Sequence, residues 1–78
     1  MPRFYLTENE RICRKLARWV YGEMKVRRIS QQSLAEKMNI KQQALSRKLR
    51  NATFDYTDFV FFVREFNPSD KELREIIE

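Results

Sequence analysis

Gln42, Gln43, Ser46 and Arg47 lie close enough in the chain to share one side of a helix. Their ends hydrogen-bond in different ways. A carboxamide both donates and accepts, a hydroxyl does either, and a guanidinium donates through a planar fork. A ridge of such groups suits a flat pattern of donors and acceptors, or an anion. Lys41, Lys48 and Arg50 surround it with long cationic arms, and Gln31 supplies a further carboxamide upstream.

The composition leaves little for bond-making chemistry. The 78 residues include no His and one Cys, so a conventional zinc site has no ligand set. No Ser or Cys stands beside an obvious base, and one Gly cannot make a Gly-rich phosphate loop. Catalytic residues, a metal, a cofactor and a small-molecule effector are therefore not expected. Cys13 has no partner in the chain, which fits a reducing compartment, and its apolar neighbours make it a packing residue. No signal peptide is expected, and no apolar run nears the ~20 residues of a membrane span. The cytoplasm is the expected location, with no membrane partner.

The net charge of +5 is unevenly spread. Residues 1–50 carry 13 of the 16 Lys and Arg, with Glu8, Glu10, Glu23 and Glu36 as their only carboxylates. Residues 51–78 carry three basic and seven acidic side chains. That asymmetry suits a protein meeting a polyanion with one side. Charge alone fits a basic protein without such a partner equally well.

A rigid scaffold must position these groups. The chain is rich in Leu, Met, Lys, Arg, Glu and Gln, which favours helix, and its length allows one domain. The expectation is an all-α compact bundle of five short helices. Residues 1–6 have no helical period and read as an arm. Thr7 and Glu10 form a capping box for a first helix reaching about Lys25, with Ile12, Leu16, Val20 and Met24 at four-residue steps. Its opposite face gathers Arg11, Arg14, Lys15, Arg18 and Lys25, either as a solvated surface or as a contact for phosphate or an acidic partner. Ser30 caps a second helix that ends at Met38, and Asn39 suits a left-handed stop. A third helix runs from Lys41 or Gln42 to about Arg50, with Asn51 as its stop. Asp55 caps a fourth helix that Asn67-Pro68 breaks near Phe66. Ser69 or Asp70 opens a last short one bearing Leu73, Ile76 and Ile77.

Residues 30–51 thus form two short helices around a tight turn. Ala35 is small enough for close approach, Ile40 plugs the turn, and Leu45 anchors the second helix from beneath. The segment SQQSLAEKMNIKQQALSRKL, followed by Asn51 and Phe54, resembles the helix-turn-helix of the lambda-repressor and Cro family, particularly its small phage-type regulators. Phe59, Phe62, Val63 and Phe66 also fall where that family places apolar residues of its fourth helix. The resemblance spans about residues 10–70. Asn39 and Asn51 stand where the family usually has Gly, Lys41 replaces a good N-cap, and Val60 and Phe61 occupy positions usually polar.

The resemblance implies a sequence-specific double-stranded DNA-binding regulator of transcription, similar to the Cro and repressor proteins. With no effector domain expected in the sequence, occlusion of a promoter is the simplest mechanism, and repression and activation both stay open. Gln42 resembles the family glutamine that opens the recognition helix and pairs with adenine N6 and N7. Gln43, Ser46 and Arg47 join it in reading bases, with Arg47 suited to guanine or to a phosphate. Gln31, Lys41, Lys48 and Arg50 are phosphate contacts, and Gln31 is also placed to brace Gln42. A homodimer on a palindromic operator is expected, with Val60, Phe61, Ile76 and Ile77 as its interface. The alternatives are that the last helix folds over Val60 and Phe61, and that the scaffold serves only as a protein-interaction module: an antirepressor, an antitoxin or an inhibitor of another protein.

Overall fold

Leu16, Val20 and Met24 recur every four residues, and with Ala17 they form the buried side of α1 (Glu8–Arg27). The computed structural model describes residues 8–78. Within them α1 is followed by α2 (Gln31–Met38), α3 (Gln42–Asn51), α4 (Tyr56–Phe66) and α5 (Asp70–Ile77), so the protein is an all-α bundle. The arm of residues 1–6 and Thr7 of the expected capping box lie outside the described residues.

One core joins all five helices. The α1 stripe meets Leu34 and Ala35 of α2, Leu45 and Leu49 of α3, Phe62 and Phe66 of α4, and Ile76 of α5. Aromatic rings fill its centre. Phe62 is fully buried; its ring lies edge-on to Phe54 at 5.4 Å and to Phe61 at 5.9 Å, and stacks on Phe66 at 6.4 Å. Trp19 meets Phe66 edge-on at 5.7 Å.

Two helix ends differ from the sequence reading. Beyond Lys25, α1 continues to Arg27, whose guanidinium pairs with Glu23, donates to the Phe66 carbonyl and lies over the Phe66 ring. Arg28 then turns left-handed at φ 57°. Asn51 remains helical in α3, and Ala52 takes the left-handed position at φ 54°. A Cβ there costs roughly 1–2 kcal/mol. The turn returns the chain to the core: the Thr53 N–H donates to the Lys48 carbonyl at 3.0 Å, and Phe54 follows onto Phe62.

The last helix also goes elsewhere. It packs along α1, where the Trp19 indole donates to Glu72 at 3.1 Å and Arg11 donates to the Glu78 backbone oxygen. Ile76, expected at a dimer interface, is instead a core residue, 3% exposed. Docking on α1 buries it within the monomer.

Reciprocal caps start α4 and α5. The Asp58 N–H donates to the Asp55 carboxylate at 2.8 Å, and the Asp55 N–H donates back to Asp58 at 3.1 Å. Ser69 and Glu72 repeat the pattern. The Asp58 backbone N–H holds the Asp55 carboxyl below the usual range. The Ser69 N–H, then the Trp19 indole, does the same for Glu72. Because both groups bind a proton less readily when folded, their stabilisation is complete above the ordinary carboxylate pKa and fades as pH falls through the lowered folded values. The melting temperature should therefore drop below about pH 4. Asp55→Asn keeps a good cap acceptor that does not titrate in this range, so its acid drop should be shallower when thermal unfolding is followed from pH 7 to pH 2. An identical drop would remove the Asp55 cap as a source of acid sensitivity.

Candidate functional site

Ser30 starts α2 in an extended conformation, and its hydroxyl accepts from the Ser33 N–H at 3.1 Å. Asn39 ends the helix at φ 60°, ψ 40°, the left-handed geometry anticipated for it. Its N–H and that of Ile40 close onto Glu36 and Ala35, with Ile40 donating at 3.0 Å to Ala35. Ala35 is buried, which lets the helices approach, and Ile40 packs against the core. Lys41 opens α3 without a side-chain cap. The first α3 N–H groups and the positive end of the helix dipole are thus available to an anion.

Leu45 and Leu49 pin the inner side of α3 at 0% and 2% exposure. The outer side must then face solvent. Gln42, Gln43, Ser46, Arg47 and Arg50 together line an open concavity of about 480 Å³. All are exposed except Ser46, which is half-buried. No carboxylate lines this surface, so its donors point outward without an internal acceptor of opposite charge.

The other expected contacts divide. Lys41 is exposed beside this surface. Gln31 is half-buried in the first turn of α2, and among the described residues no hydrogen bond joins it to Gln42, so the expected brace is not formed. Lys48 lies on the other flank of α3. Its ammonium is 2.8 Å from Asp58, whose side chain is only 9% exposed. The pair ties α3 to the α4 cap, so the Lys48 ammonium already has an internal partner. Asp58 was not singled out from the sequence; its spacing from Asp55 was the available signal, a capping box with Asp in place of the usual Glu or Gln. On α4, Val60 and Phe61 are half-buried, with Phe61 against Phe62. Ile77 is 47% exposed.

Among the described residues no cluster of His, Cys, Asp and Glu could hold a metal ion, and no helix is long and apolar enough to cross a membrane. Comparison of the chain with protein-family models, curated proteins and solved structures finds no match.

Proposed function

We propose that this chain binds double-stranded DNA sequence-specifically, with α3 in the major groove, and regulates transcription by occluding promoter DNA. The observation that carries this reading is the outer face of α3. Gln42, Gln43, Ser46, Arg47 and Arg50 share one carboxylate-free surface on a helix held from beneath by Leu45 and Leu49. The major groove is about 12 Å wide and admits such a helix. Gln42 and Gln43 match the donor–acceptor edge of adenine, Ser46 adapts to either, and Arg47 reaches guanine or a phosphate. Lys41 and Arg50 position the complex on the backbone. The uncapped start of α3 suits a phosphate as well.

One recognition helix covers few base pairs, so two copies on a palindrome supply the missing specificity. With Ile76 withdrawn into the core, the surface left to that pair is Val60, Phe61 and Ile77. Sequencing duplexes selected from a random pool by the purified protein tests the proposal. The expected result is an enriched motif whose two half-sites lie about one helical turn apart. Failure of any motif to emerge would overturn sequence-specific binding, and a single unrepeated half-site would overturn the dimer.

A further inference from the structure

Arg14 and Arg18 stand one turn apart on α1, and Arg50 lies in the last turn of α3. Together with Tyr21 they rim a cleft of about 530 Å³ between the two helices, floored by the buried Ala17 and Leu49. No carboxylate lines it. Four cations among the described residues have found acids: Arg11 pairs with Glu8, Arg27 with Glu23, Lys37 with Glu65 and Lys48 with Asp58. Arg14, Arg18 and Arg50 are exposed and form no ion pair among the described residues. Arg18 also borders a groove containing Glu72 and the exposed Glu75; Glu72 is held by Trp19 and its own cap, and Arg18 forms no ion pair with Glu75 among the described residues. Like charges at i and i+4 weaken a helix. Three guanidinium groups around one carboxylate-free cleft therefore present a site for an external anion.

Arg50 belongs to this cleft and also to the polar face of α3. The two surfaces are continuous. We infer that the Arg14–Arg18–Arg50 cleft grips backbone phosphates of the same duplex that α3 reads, extending the footprint across α1. The inference rests on the DNA-binding reading above and adds a second locus to it. Guanidinium forks match phosphate oxygens in a bidentate manner, and the half-exposed Tyr21 supplies a neutral hydroxyl donor. An acidic protein segment would offer similar charge, but the continuity with the α3 face favours the duplex.

The test compares wild type with Arg14→Gln/Arg18→Gln and Arg14→Lys/Arg18→Lys. Fluorescence anisotropy follows binding to the selected duplex and to a random duplex of equal length, between 50 and 200 mM salt. Losing two phosphate contacts should lower the salt slope by about 1.8. Over that range wild type should then lose about tenfold more affinity than the Gln variant. The effect should be similar on both duplexes, because phosphates carry no sequence, and the Lys variant should keep most of the slope. Phosphate-ethylation interference should show one cluster of backbone positions lost in the Gln variant. Matched thermal melts establish that both variants are folded. If the Gln variant binds with the wild-type slope and ethylation pattern, the cleft is overturned while the DNA reading stands. If wild type binds no duplex but captures a labelled poly-glutamate peptide through these arginines, both are overturned in favour of an acidic protein partner.

Discussion

Phe62→Ala should lower the free energy of unfolding by about 3–5 kcal/mol, the range for removing a large buried ring. Phe62 is 0% exposed and touches rings on three sides, from Phe54 before α4 to Phe61 and Phe66 within it. It thus joins the turn after α3 to the helix that covers the core. A chain of this size is stable by only about 4–12 kcal/mol in total, so the substitution would take a large share or all of that. Urea unfolding followed by circular dichroism and Trp19 fluorescence measures the loss. Phe61→Ala, at a half-buried site on the same helix, should cost clearly less. Equal losses, or a Phe62→Ala loss under about 1 kcal/mol, would show that the ring is not the centre of the core.

The helices were legible because their signals are local. Ser30, Asp55 and Ser69 are short polar acceptors ahead of apolar periods, and each caps its helix as that pattern implies. Asn39 adopts the left-handed turn for which Asn is suited. What failed was set by contacts distant in sequence. Arg28 and Ala52 carry no sequence signal for positive φ; their turns return the chain to packing partners. Ile76 is apolar wherever α5 lands, and the short Asn67–Ser69 connection does not say that α5 will lie on α1 rather than α4. The candidate site was readable in type and spacing, but not in pairing. Lys48 and Arg50 are both cations near the end of α3, yet only Lys48 faces Asp58, and only Arg50 reaches the cleft of Arg14 and Arg18.

That division between Lys48 and the outer face of α3 gives the second large expected effect. Gln42→Ala should weaken binding to the preferred duplex by about 1–3 kcal/mol, or about 5- to 150-fold, and relax preference at one base pair. It should leave the melting temperature unchanged or slightly raised, since Gln42 is exposed and Ala favours helix. Lys48→Met should do the reverse. It keeps the apolar stem but leaves the 7%-exposed Asp58 without its cation. Breaking a fully buried pair costs about 3–5 kcal/mol, but the Lys48 side chain is 28% exposed, and solvent reduces the expected loss to about 1–3 kcal/mol. Its salt slope on DNA should match wild type, because a cation committed to Asp58 releases no counterion from the backbone. Anisotropy titrations beside thermal melts separate the two roles. Unchanged Gln42→Ala binding across all duplexes would remove that residue from base reading. A Lys48→Met variant with full stability and a slope reduced by about one would return Lys48 to the phosphates and show that its ion pair with Asp58 yields when DNA arrives.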